Sequence, residues 1–122
     1  MSYCSFEDLE VWQRARRLAK DVYQRTNSFK DWSLRDQMRR SSVSIASNIA
    51  EGAERNANAE FQYFIGIAKG SAAELRTQIY LCLDFGLFAA DTATPMIAET
   101  KLLGAKLEAL RRSLVRRPTP KT

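Results

Sequence analysis

The sequence predicts an all-α fold: an antiparallel up-down-up-down four-helix bundle forming a single domain. Three observations carry this. No stretch alternates apolar and polar residues over a useful length. Apolar residues instead recur at three- and four-residue steps through four segments, which is helical spacing, and short polar links join those segments. Helices are expected at about residues 6–26, 33–54, 58–87 and 91–116, followed by a basic tail at 117–122. A chain of 122 residues has room for one core and buries roughly two thirds of the surface its unfolded form exposes.

In the first helix, Ser5 followed by Asp8 reads as a capping box. Phe6, Leu9, Trp12, Ala15, Leu18, Val22 and Tyr23 form its inward stripe, which ends near Thr26-Asn27-Ser28. Ser33 with Asp36 repeats the start signal for the second helix, which runs to Gly52 or Glu54 before the link Arg55-Asn56-Ala57-Asn58. The third helix is the most regular. Phe61, Ile65, Ala68, Ala72, Leu75, Ile79, Cys82 and Gly86 alternate by four and three, the seam of a helix packed at shallow angles. At about 1.5 Å per residue it spans roughly 40 Å. A turn at Gly86-Leu87-Phe88-Ala89 leads to the fourth helix, with Asp91, Thr92 or Thr94 as caps and Pro95 acceptable only in its first turn. Met96, Thr100, Leu103, Leu107, Leu110 and Leu114 continue the alternation until Pro118 and Pro120 stop it.

The second helix carries the densest signal. Ser41, Ser44, Asn48, Glu51 and Arg55 line up along one edge, beside the core positions Met38, Ser42, Ile45 and Ile49. An ordered polar edge next to a core face implies a buried polar seam, either within the bundle or between subunits. Ser71, Glu74 and Gln78 of the third helix are its expected partners, with Arg39 and Arg40 in the same network. This stripe, more than the apolar one, is expected to set oligomer specificity.

Charge is unevenly distributed. The net charge is +5, and residues 101–122 hold Lys101, Lys106, Arg111, Arg112, Arg116, Arg117 and Lys121 against Glu108 alone. The whole basic excess therefore lies in the last helix and tail, where clustered cations favour a polyanion by releasing its counterions. Lys101, Lys106, Arg111, Arg112, Arg116 and Arg117 are the candidate nucleic-acid contacts. Arg14, Arg16, Arg17, Lys20, Arg39 and Arg40 are secondary ones, partly neutralised by Glu10, Asp21 and Asp36.

Enzymatic chemistry finds little support. Glu51 and Glu74 on facing helices offer a paired-carboxylate arrangement, but the chain contains no histidine and so no Glu-x-x-His metal motif. Ser44, Ser71, Cys4 and Cys82 lack a histidine base. A non-enzymatic protein without cofactor or metal is expected. With no apolar leader and no long uncharged run, the two cysteines read as free thiols of a cytoplasmic protein that does not enter a membrane. Gly66 and Gly70, continued by Ala73 and Thr77, suggest close helix approach inside the bundle or at a subunit contact, not a phosphate loop. The aromatic residues fit core packing, with Trp32 and Tyr63 the exceptions expected at the surface.

Three blocks carry a family resemblance: Phe6-Glu7-Asp8-Leu9-Glu10-Val11-Trp12-Gln13 with Ala15 and Ala19; the run from Arg39 to Arg55; and Glu60-Phe61, Phe64, Ile67-Ala68, Gly70-Ser71, Glu74-Leu75 and Thr77-Gln78. The chain resembles the small four-helix-bundle proteins known as 23S ribosomal RNA intervening-sequence proteins, or S23 ribosomal proteins. The resemblance implies a bundle that assembles into a ring, a pentamer, and an association with ribosomal RNA insertions. A distantly related bundle serves diversity-generating retroelements and binds nucleic acid through a basic surface. The chain departs from the family pattern at Ser28-Phe29-Lys30-Asp31-Trp32 and at Ser41-Ser42, which touch a loop and a packing face. The resulting expectation is a homo-oligomeric bundle that binds structured RNA or another nucleic acid through its basic C-terminal surface. The alternative is an oligomeric adaptor that recruits another protein and has no direct nucleic-acid role.

Overall fold

The computed structural model describes residues 5–116; Cys4, Arg117 and the rest of the 117–122 tail lie outside them, as does the side chain of Arg116. Four helices follow a short 3-10 turn, Phe6–Asp8: α1 Glu10–Arg25, α2 Trp32–Ala53, α3 Asn58–Asp84 and α4 Ala90–Arg116. No strand occurs among the described residues.

Two of the expected start signals act differently. Ser5 accepts from the Glu7 N–H at 3.4 Å, but it caps the 3-10 turn, because Leu9 is extended (φ −75°, ψ 128°) and separates that turn from α1. On α2 the cap is Asp31, whose Oδ1 accepts from the Leu34 N–H at 3.0 Å. Ser33 therefore lies inside the first turn, where its hydroxyl accepts from Gln37 Nε2. At α2 both Asp31 and Ser33 carry cap chemistry, and backbone geometry selects Asp31.

The third helix ends earlier than 87. Gly86 takes φ 75°, the Leu87 N–H reaches back to the Cys82 carbonyl at 2.8 Å, and the Gly86 N–H reaches the Leu83 carbonyl at 3.2 Å. This is a Schellman ending, which needs a residue free to adopt left-handed backbone. Ala89 then opens α4, its carbonyl accepting from Thr92 and Ala93, in place of the Asp91, Thr92 or Thr94 caps expected. Pro95 sits in the second turn of α4, one turn deeper than expected.

The polar contacts fix direction. From α2 to α3, Ser41 meets Glu74 and Ser44 meets Ser71, while Gly52 abuts Phe61 and Phe64. From α3 to α4, Asn58 meets Leu114 and Lys69 meets Glu108. From α1 to α4, Glu10 meets Lys106 and Arg14 meets Glu99. In each set one number rises as the other falls, so these neighbours run antiparallel. Helix α1 packs on α2 and more lightly on α4, and it does not pack on α3, which lies diagonally across the bundle.

Between the helices the core is continuous. Met38, Ile45 and Ile49 of α2, Ile65, Leu75 and Ile79 of α3, and Leu103 and Leu107 of α4 are fully enclosed. Each such side chain stabilises the fold by about 1.5–3 kcal/mol relative to exposure. On α1 the buried line is Val11, Ala15, Leu18 and Val22; Trp12 is half-buried beside it and Tyr23 is exposed. The expected inward stripe holds at Ala15, Leu18 and Val22, with Leu9 and Trp12 packed against the core; it left out Val11 and included the exposed Tyr23. Cys82 is enclosed next to the Met38 sulfur at 3.4 Å, and burial, with a smaller contribution from the Asp31 charge, pushes its thiol up to about 11.

The glycines divide differently from expectation. Gly66 and Gly70 are exposed, and a methyl group at either would meet nothing within 4 Å, so neither serves helix approach inside the bundle. Gly52 does. A Cβ there would lie 2.8 Å from Phe64 Cβ and 2.9 Å from Phe61 Cδ1.

Candidate nucleic-acid interface

The polar stripe of α2 divides into two halves. In the upper half the Ser41 hydroxyl is shared between the Gln37 carbonyl and Glu74 Oε1, each at 3.0 Å. Asn48 Nδ2 donates to the Ser44 hydroxyl at 3.0 Å, which leaves the Ser44 proton available for the Ser71 oxygen at 2.9 Å. The Ser41–Glu74 and Ser44–Ser71 contacts run between α2 and α3 of one chain. In the lower half, Glu51 and Arg55 are exposed and pair with each other at 2.9 Å, and Arg55 also reaches Glu60 at 3.4 Å. Gln78 is buried on the α3 side, and its Oε1 has no donor among the described residues.

The paired-carboxylate arrangement set aside on the sequence does not form, because Glu51 turns to Arg55 and Glu74 to Ser41. One expectation about this stripe is corrected. Arg39 leaves the seam for the end of α1, donating to Thr26 Oγ1 and the Tyr23 carbonyl and lying 4.3 Å over the Tyr23 ring. Among the described residues no three His, Cys, Asp or Glu side chains gather as a metal would require.

The basic candidates of α4 fall on two sides. Lys106 faces α1 and pairs with Glu10 at 3.1 Å; with Arg14 first and Lys106 second, these cations hold the Glu10 carboxyl below the usual range. Arg111 and Arg112 face α3 and converge on Glu108. Arg111 donates two bonds to it, at 2.9 and 2.6 Å, and Arg112 one at 2.9 Å. Lys69 of α3 completes the cluster at 2.7 Å. Arg111, then Lys69 and Arg112, hold the Glu108 carboxyl far below the ordinary carboxylate value. Charge-assisted bonds of this kind fix side chains in place.

One carboxylate cannot balance three cations, and the seam extends further. One heptad along each helix from Lys69 and Glu108 stand Arg76 and Lys101, at the same register of the antiparallel pair. Neither makes an ion pair with a described residue, and Lys101 is exposed. The α3–α4 face thus presents Lys69, Arg76, Lys101, Arg111 and Arg112 against Glu108. Counting charge along the chain found the α4 half of this face and missed Lys69 and Arg76. Their signal was the heptad spacing 69–76 on α3 and 101–108 on α4, legible once the helices are paired.

The family model for the 23S rRNA-intervening sequence protein matches residues 7–109. The chain belongs to that family. A crystal structure of an S23 ribosomal protein family member of unknown function from Bacteroides thetaiotaomicron VPI-5482, at 1.70 Å, superposes with a TM-score of 0.79. It is 20% identical, covers 84% of this chain and is itself 98% covered. At that identity the likeness concerns the intervening-sequence protein fold. No curated protein matches the chain. No helix among the described residues is long and apolar enough to cross a membrane.

Proposed function

We propose that this intervening-sequence family protein is a non-enzymatic, self-associating scaffold that binds structured RNA, or another nucleic acid, mainly through the phosphate backbone. One observation carries the reading. Lys69, Arg76, Lys101, Arg111 and Arg112 share one face with a single carboxylate, so a row of cations remains uncompensated. A polyanion covering that row would release counterions and gain affinity without reading sequence. The family's own name refers to 23S rRNA intervening sequences.

Self-association uses the outer surface of α2 and α3, where Val43 and Tyr63 are exposed and Gly66 and Gly70 meet open space. The buried Gln78 carbonyl lacks a donor among the described residues. A ring, a pentamer, follows from the resemblance and would repeat the basic face around an axis. Static light scattering gives the mass directly. A monomer at micromolar concentration would refute the ring.

The nucleic-acid reading is tested by purifying the protein with and without nuclease and following its ultraviolet absorbance ratio. Bound nucleic acid in the wild type, lost in an Arg76→Gln, Lys101→Gln, Arg112→Gln variant, is the expected result. Equal absorbance in both proteins contradicts it.

The adaptor reading has its own observation: Trp32, Phe85 and Leu87 are exposed near one end of the bundle, Trp32 at 66% and Phe85 at 62%. A protein partner that co-purifies and survives nuclease would favour it.

A further inference from the structure

We propose that α1 carries a second, separate nucleic-acid site, so that one chain holds two nucleic-acid segments on different sides of the bundle. This rests on the nucleic-acid reading above and goes beyond its single face. Glu7, Trp12, Gln13, Arg16, Arg17 and Lys20 line a groove of about 490 Å³ on the outside of α1. Arg16, Arg17 and Lys20 make no ion pair with any described residue.

The groove is a built surface with defined walls. Gln13 Nε2 donates to the Glu7 carbonyl at 2.9 Å, fastening the 3-10 turn to α1 as one wall. Trp12 is held edge-on by Phe6, with ring centroids 5.2 Å apart, and the Arg16 guanidinium lies 5.5 Å over its indole. A guanidinium resting on an aromatic ring keeps its N–H edges directed outward for a phosphate and offers its flat face to a base. Lys20 stands one turn further on, a rise of about 5–6 Å, so the cations form a row that a phosphodiester chain can follow.

The neighbouring α1–α4 groove, about 270 Å³, is a poorer candidate. It shares Arg17, but its Arg14 and Arg25 are already paired with Glu99 and Asp21. The α1 groove keeps its charge. It is also separate from the α3–α4 seam: no residue belongs to both, and α1 does not pack on α3. A strand lying on one face leaves the other open.

The test uses the full chain in a Trp32→Phe background, so that Trp12 is the one indole. Hairpin RNA bound per chain at saturation is measured at low salt together with Trp12 fluorescence, a count that does not depend on whether the chain is a monomer or a ring. The arms are the parent, Arg16→Gln/Arg17→Gln/Lys20→Gln, and Arg76→Gln/Lys101→Gln/Arg112→Gln, with mass and circular dichroism matched. The α1 variant is expected to keep binding through α3–α4 but to hold about half as many hairpins per chain, and to lose the RNA-induced change in Trp12 fluorescence. Hairpins per chain and Trp12 response equal to the parent would overturn the α1 site while leaving the α3–α4 face intact. No binding by the parent would overturn both.

Discussion

Lys69 on α3 and Glu108 on α4 are joined by a 2.7 Å ion pair, and in the register that the pair marks Arg76 and Lys101 stand one heptad further along the same two helices. Glu108 also receives Arg111 and Arg112, so it organises the cations and partly neutralises them.

Replacing Glu108 by Gln is therefore expected to act in opposite directions on stability and on binding. The native carboxyl is held down by Arg111, Lys69 and Arg112. A lowered folded-state value gives stability that is present above the unfolded carboxylate value, about 4.3, and lost as pH falls through the folded one. Urea denaturation at pH 7 should find Glu108→Gln less stable than wild type, with the gap closing in acid. At pH 7 and low salt the same variant should bind hairpin RNA more tightly, because the seam loses its one anion. Weaker binding with unchanged stability would refute the assignment.

Gly52 and the Gly66/Gly70 row make a paired prediction. Gly52→Ala forces a Cβ into Phe64 and Phe61 and should cost about 1–3 kcal/mol. Within the monomer Gly66→Ala meets open space in a helix and should gain up to about 1 kcal/mol. Denaturation midpoints at low concentration read both. Because the Gly66 row is part of the proposed self-association surface, the same variant is expected to lower the mass on light scattering, and an unchanged mass would remove the row from that contact.

Gln78 buries a carbonyl oxygen without a donor among the described residues. Gln78→Met removes that oxygen at similar volume and is expected to stabilise the folded monomer by about 1–3 kcal/mol. A comparable loss, measured by thermal melting at low concentration, would mean that the amide has a partner.

Cys82 gives an alkaline signature. Its thiol is raised to about 11 by burial. A raised folded-state value gives stability that is complete below the unfolded thiol value, about 8.5, and lost as pH climbs through the folded one. In a Cys4→Ser background, the stability of the chain relative to its Cys82→Ala variant should fall between about pH 8.5 and 11. A difference flat across that range would contradict the burial.

Much of the fold was legible because periodicity survives averaging. Met38, Ile45 and Ile49, and Ile65, Leu75 and Ile79, lie in the core as their spacing requires. The helix starts were less legible, since Asp31 and Ser33 carry equivalent cap chemistry and the backbone decides between them. The Schellman ending at Gly86 has a sequence mark, a glycine at the close of a stripe, which the apolar periodicity overran. For the candidate site, a linear charge count located Lys101, Arg111 and Arg112 but could not see their partners. It missed that Lys106 is drawn to Glu10 on α1, and that Lys69 and Arg76 join from another helix. A surface assembled from two helices is encoded in their register.

The most direct test of the central claim is the salt dependence of hairpin RNA binding, followed by fluorescence anisotropy for wild type and for Arg76→Gln/Lys101→Gln/Arg112→Gln. Each lost phosphate contact should reduce the slope of log affinity against log salt by about 0.7–0.9, so the variant should bind more weakly with a slope shallower by about 2–3. The same affinity and slope in both proteins, or no wild-type binding at low salt, would contradict the account.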